Sequence, residues 1–140
     1  MSAVTPLASP LTATLQVALG GAVGAAARYH LGRGMTLWLG PQAVTAFPWA
    51  TLAANVIGSL AMGLLAGWLA RHGGAASDSW RLLVGVGLLG GFTTFSAFSL
   101  ELMMLIERGQ VALALTYAAV SVLAGLTGLY IGLIAMRLTA

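Results

Sequence analysis

Four long apolar stretches, separated by short polar connections, dominate the hydrophobicity pattern of this chain. They cover approximately residues 11–38, 49–70, 80–106 and 111–136. Each can form a helix that crosses the hydrocarbon core of a bilayer, which takes about 20 residues. No stretch shows the alternation with a period of two that barrel strands need. The pattern predicts an all-α integral membrane protein with four transmembrane helices in a single domain, residues 1–140.

The composition supports a membrane environment. Hydrophobic residues make up 59% of the chain and charged residues only 6%, whereas a soluble domain carries about 25% charged residues. Near the span ends, where interfacial aromatic residues are enriched, lie Trp38, Trp49, Trp68 and Trp80. The absence of cysteine excludes disulfides and a cysteine nucleophile. No nucleophile–base pair or metal-ligand cluster is evident, so we do not expect an enzyme.

The basic residues are divided almost evenly between the two sides of the predicted bundle. One side carries Arg71, Arg81 and Arg137, and the other carries Arg33, Arg108 and arguably Arg28. The positive-inside rule therefore gives almost no preferred orientation. We expect copies inserted in both directions to pair as an antiparallel, dual-topology homodimer, the two-chain form of an inverted repeat. The alternative is that a partner or lipid sets one orientation.

Glycine pairs at a spacing of four recur on every span. They are Gly20 and Gly24, Gly63 and Gly67, Gly87 and Gly91, and Gly128 and Gly132. Small residues at this spacing let helix backbones approach closely inside a membrane. We interpret most of them as packing positions.

Polar side chains follow one face of the second span and part of the fourth. Thr51, Asn55 and Ser59 lie at i, i+4 and i+8, and Tyr117 shares a face with Ser121, with Thr127 a turn and a half beyond. Hydrogen bonding between helices is the simplest explanation for isolated hydroxyls. Asn55 differs, because its amide has two donors and its own helix can occupy few of them.

The third span contains an unusual polar run, Gly90-Gly91-Phe92-Thr93-Thr94-Phe95-Ser96-Ala97-Phe98-Ser99. Paired glycines followed by threonines and serines form a poor helix, which predicts a break at membrane depth. The carbonyls that a broken helix exposes commonly coordinate a cation. A kink with serine back-bonding is the alternative. Phe95 and Phe98, at i and i+3, could turn their positive ring edges toward an anion.

These residues together suggest a pathway lined by neutral hydrogen-bond donors, for a small anion or a proton-coupled solute. A small multidrug-resistance-type exporter is the main alternative transporter, but it needs an acidic residue in the first span, which has none. A non-transporting membrane subunit, whose polar stripes only join helices to a partner, is the other alternative.

Three segments closely resemble the signatures of the Fluc (CrcB-type) fluoride channels. They are residues 24–29 (GAAARY), residues 51–59 (TLAANVIGS) and the third-span run 90–98, and Tyr117 with Ser121 match the fourth span. The chain departs from the common pattern at Ala54, Leu60 and Ala97. The loss of a hydroxyl at residue 97 puts one minor polar contact in doubt.

The resemblance implies a function and a set of site residues. It implies antiparallel dual-topology dimers in the bacterial inner membrane, each with two pathways for passive, selective fluoride export that confers fluoride resistance. Asn55 would position or donate to fluoride, and Phe95 and Phe98 would present ring edges. The polar track would continue through Thr51, Ser99, Glu101, Tyr117, Ser121 and Thr127. Backbone carbonyls of Gly90 and Thr93 from both subunits would hold one structural Na⁺, and Arg28 would line a vestibule.

Glu101 has two interpretations. At the end of a span, a carboxylate is most simply a hydrated boundary residue. If it faces the fluoride track, it needs a proton or a partner, because a bare carboxylate repels an anion.

Overall fold

Four membrane-length helical stretches make up most of the computed structural model, which describes residues 9–139. They are Pro10–Leu39, Trp49–Leu69, Ala76–Glu107 and Val111–Leu138, all long and apolar enough to cross a membrane. No strand occurs among the described residues, so the all-α prediction is confirmed. Residues 1–8 and residue 140 of the predicted domain lie outside the described residues.

The helices are α1 (Pro10–Leu39), α2 (Pro41–Ala46), α3 (Trp49–Leu69), α4 (Ala75–Trp80), α5 (Gly90–Phe92), α6 (Phe95–Glu107) and α7 (Val111–Leu138). A π-helical segment, Arg81–Leu89, joins α4 to α5. Three of these elements, α2, α4 and the π-helical segment, were not predicted, and α4 lies in the predicted connection before residue 80. Helix α2 lies in the first connection, where Gly40 at φ 85° turns the chain before Pro41 starts the helix. The hydrophobic pattern of the π-helical segment does not distinguish it from an α-helix, so it could not be predicted from the sequence.

Helix α1 packs against the π-helical segment through a glycine seam, which we define as Gly20, Gly24, Gly87 and Gly91 with the backbone that faces each of them. A Cβ on Gly24 would overlap the Leu88 carbonyl oxygen, and one on Gly20 would overlap that of Leu83. In the opposite direction, a Cβ on Gly87 would lie 2.9 Å from the Val17 carbonyl oxygen. The predicted packing role of these glycines is confirmed, because the two backbones touch.

Helices α3 and α7 form a second close pair, and they run parallel because α6 lies between them in the chain. A Cβ on Gly63 would overlap the Leu129 carbonyl oxygen, and one on Gly125 would lie 3.4 Å from Ser59 Oγ. Both contacts join residues 66 positions apart. This register places the polar face of α3 beside that of α7.

The third membrane-length stretch contains two residues with extended backbone. Thr93 has φ −83° and ψ 158°, and Thr94 has φ −153° and ψ 122°. Helix α6 starts immediately afterwards, and Thr94 Oγ1 caps it by accepting the Ala97 N–H at 3.2 Å. The polar run thus supplies its own helix cap.

Candidate ion pathway

Asn55 joins α3 to the extended residues of the third stretch. Its Oδ1 accepts the Thr94 N–H at 2.8 Å, and its Nδ2 donates to the Thr94 carbonyl oxygen at 3.0 Å. Because the amide nitrogen carries two protons, one remains for another acceptor. The side chain therefore both fixes the local backbone and keeps a donor available.

Glu101 lies between two hydroxyl donors. Thr51 donates to its Oε1 at 2.7 Å, and Tyr117 donates to its Oε2 at 2.8 Å. Thr51 and Tyr117 are both buried, and Glu101 is partly buried. Glu101 thus has the partners that a carboxylate needs to face a polar track, and it is not simply a hydrated boundary residue.

An open groove of about 340 Å³, which we call the polar groove, runs along α3, α6 and α7. Its polar lining comes from Asn55, Ser59, Thr93, Thr94 and Ser121, and its aromatic lining from Phe95 and Phe98. The Ser121 Oγ is buried without a hydrogen-bond partner among the described residues. A buried hydroxyl in this state is costly, so it is available to a ligand in the groove.

The two phenylalanines sit differently in the groove. Phe98 packs against Tyr117, with 5.1 Å between ring centroids, and its ring lies 5.8 Å from that of Phe95. Phe95 is 80% exposed. One wall of the groove beside Phe95 is therefore open in the single chain.

A second cavity, of about 560 Å³, opens beside the groove and contains two arginines. Arg28, Arg33 and Thr36 of α1 line it together with Thr51 and Thr94. The Nε of Arg28 is buried and has no hydrogen-bond partner within residues 9–139. Thr94 lines both this arginine cavity and the polar groove, so the two spaces adjoin at the extended backbone.

Five of the predicted track residues do not line the groove: Thr51 lines the arginine cavity instead, and Ser99, Glu101, Tyr117 and Thr127 line neither space. Ser99 Oγ donates to the carbonyl oxygen of Phe95 at 2.9 Å, so its proton stays within its own helix. Thr127 is exposed on α7 and is not part of the groove lining. Ser59 lines the groove although it was predicted only to share the polar face of α3, and Arg33 lines the cavity for which only Arg28 was predicted.

The family model described as CrcB-like protein, Camphor Resistance (CrcB), matches residues 15–133. The chain belongs to the CrcB family. Every residue of the polar groove and of the arginine cavity lies within the matched range. The family assignment made from the three sequence signatures is therefore confirmed.

Two relatives share most of their length with this CrcB-family chain. One, from Novosphingobium aromaticivorans, is 61% identical over 127 residues, covering 91% of this chain and 98% of the relative. Another, from Erythrobacter litoralis, is 57% identical over 131 residues, covering 94% of this chain and 96% of the relative. Both relatives are named fluoride-specific ion channel FluC.

Proposed function

We propose that this protein is a fluoride-selective channel that lets fluoride leave the cell passively across the bacterial inner membrane. The observation that carries the proposal is that the arginine cavity and the polar groove lie next to each other, with Thr94 in the lining of both. Relatives that are 57% and 61% identical to this chain bear the name of a fluoride-specific ion channel. The residues of the groove offer the chemistry that such a channel requires.

Fluoride selectivity follows from the kind of donors in the groove. A small anion holds its water tightly, so each water that it loses must be replaced by a directed donor. The free Nδ2 proton of Asn55, the Ser121 hydroxyl and the ring edges of Phe95 and Phe98 can act as such donors. A larger halide gains less from the same narrow contacts, so we expect the pathway to discriminate against chloride.

The functional unit that we propose is an antiparallel, dual-topology homodimer with two fluoride pathways. The near-even distribution of arginines between the two sides supports insertion in both directions. The 80% exposure of Phe95 supports a second copy that completes the open wall of the groove. A small multidrug-resistance-type exporter is not supported, because it needs an acidic residue in the first span and α1 contains no Asp or Glu.

The extended backbone also fits a structural Na⁺ between two subunits. In a continuous helix, Gly90 O would accept the Thr94 N–H, and Thr93 O would accept the Ala97 N–H. Here the Thr94 N–H donates to Asn55 Oδ1, and the Ala97 N–H donates to Thr94 Oγ1. The carbonyls of Gly90 and Thr93 are thus freed from helical pairing and are suitable oxygen ligands for a cation. Bound Na⁺ would neutralise the carbonyl dipoles where two copies meet.

Ion flux from liposomes tests this proposal directly. Purified protein is reconstituted into vesicles loaded with either KF or KCl, and efflux is followed with ion-selective electrodes after valinomycin releases the counter-charge. We expect rapid fluoride efflux and chloride efflux at the rate of protein-free vesicles. Equal passage of both halides would contradict selectivity, and absence of fluoride efflux from correctly assembled protein would contradict the channel assignment.

A further inference from the structure

The register of α3 and α7 arranges their polar faces in three levels. Thr51 and Tyr117 form the first level, because both donate to Glu101. One helical turn further, Asn55 and Ser121 line the polar groove together. After another turn, Ser59 faces Gly125. Successive levels lie about 6 Å apart along the helices, the rise of four helical residues.

At the third level, the hydroxyl comes from α3 and not from α7. Ser59 Oγ lies 3.4 Å from the position that a Cβ on Gly125 would occupy. The glycine therefore leaves space beside the hydroxyl, and Ser59 lines the polar groove together with Asn55 and Ser121. Thr127, which the sequence analysis placed in this part of the track, is exposed elsewhere on α7.

The Ser59 hydroxyl is also free to donate. Several hydroxyls elsewhere in the helices donate to the carbonyl four residues earlier, as Thr116 does to Ala112 at 2.9 Å and Thr36 does to Gly32 at 3.0 Å. Within residues 9–139, no such bond forms for Ser59. Ser59 is partly buried and lines the open groove, so an ion in the groove can accept a hydrogen bond from its hydroxyl.

We propose that Ser59 is a fluoride-coordinating residue, which supplies a donor one helical turn beyond Asn55 and Ser121. This inference rests on the proposed fluoride pathway. An ion leaving the Asn55 level exchanges its donors for the Ser59 hydroxyl without regaining its full water shell. Where α7 has Gly125 and no hydroxyl, α3 thus supplies the donor of the polar track through Ser59.

Substitution of Ser59 by alanine tests the role of the hydroxyl. We expect Ser59→Ala to lower the initial rate of fluoride efflux from liposomes about tenfold, the effect of losing a hydrogen bond to a charged group. Thr116→Ala is the matched control, because it removes an exposed hydroxyl bound to its own helix, and it should conduct like the wild type. Gel filtration of each variant checks that the loss of flux is not a loss of assembly.

Moving the hydroxyl to the facing helix separates donation from packing. Ser59→Ala combined with Gly125→Ser places a hydroxyl at the same level from α7, and we expect it to recover most of the wild-type rate. Ser59→Ala combined with Gly125→Ala adds similar volume without a donor and should stay slow. Wild-type flux in Ser59→Ala, or equal rates in the two double variants, would overturn the inference while leaving wild-type fluoride conduction intact. Absence of fluoride flux in the wild type would instead contradict the proposed function.

Discussion

The glycine seam and the polar groove are two contact regions of the same small helical bundle, and they are built differently. In the seam, the backbone of α1 touches the backbone of the π-helical segment, and Gly20 and Gly24 leave no space for a single methyl group. In the groove, side chains from α3, α6 and α7 surround an open space of about 340 Å³. The seam therefore fixes where the third stretch lies, and the groove can vary in chemistry with much less effect on the fold.

Substitution in the glycine seam should have the largest effect. We expect Gly24→Leu to abolish assembly, because its side chain would overlap the Leu88 carbonyl oxygen and lie against the Phe92 nitrogen. Overpacking against rigid backbone costs about 3 kcal/mol or more. Gly32→Leu is the control on the same helix, since a Cβ there meets nothing within 4 Å. Gel filtration in detergent should show a single peak for Gly32→Leu and aggregate for Gly24→Leu; a single peak for both would contradict a backbone contact.

Substitution of Asn55 in the polar groove should lower flux strongly while leaving protein that assembles. Asn55→Ala removes both hydrogen bonds to Thr94. Losing the donor to fluoride and the support of the Thr94 backbone, at about 1–1.5 kcal/mol each, should lower the flux roughly 100-fold. Fluoride efflux from liposomes measures the loss, and gel filtration measures assembly.

Asn55→Asp distinguishes the two roles of the side chain. The carboxylate can still accept the Thr94 N–H, but it provides no donor and its negative charge repels an anion. If Asn55 donates to fluoride, Asn55→Asp conducts no better than Asn55→Ala. If Asn55 only holds the extended backbone, Asn55→Asp conducts substantially better than Asn55→Ala.

The sequence predicted the four membrane-length helices and the helical face on which the polar side chains of α3 lie, because these depend on residue type and local periodicity. The spacing of Thr51, Asn55 and Ser59 places them on one helical face whatever the neighbouring helix is. The poor helix propensity of residues 90–99 likewise predicts an interruption, and the structure has extended dihedral angles at Thr93 and Thr94.

The register between helices could not be predicted, because it depends on contacts that are distant in sequence. Contact between Gly63 and the Leu129 backbone decides that Ser59 meets Gly125. That contact, and not the periodicity of α7 alone, explains why Ser59 lines the groove and Thr127 does not. Ser99 does not line the groove, and its hydroxyl donates to the Phe95 carbonyl oxygen in the preceding turn.

Helix α1 contributes residues to the glycine seam and to the arginine cavity beside the polar groove. Substitution of Arg28 on this helix should have the smallest effect on fluoride flux. About one turn beyond the glycine seam, Arg28 lines the cavity that shares Thr94 with the polar groove. A fixed positive charge at the mouth of a pathway raises the local concentration of anions, and salt screens this attraction. The Debye length falls from about 30 Å at 0.01 M salt to about 8 Å at 0.15 M. Arg28→Gln should therefore lower fluoride efflux about threefold at low ionic strength and hardly at all at 0.15 M salt.

Arg71→Gln is the matched control, because it removes the same charge from an exposed residue outside the arginine cavity. If Arg28 acts by attraction over a distance, the two variants differ at low salt and converge as salt is added. A deficit in Arg28→Gln that persists at every ionic strength would indicate direct contact between the guanidinium and the ion. In that case the anion pathway would begin in the arginine cavity at Arg28. Helix α1 would then contribute both to the glycine seam and to the pathway itself.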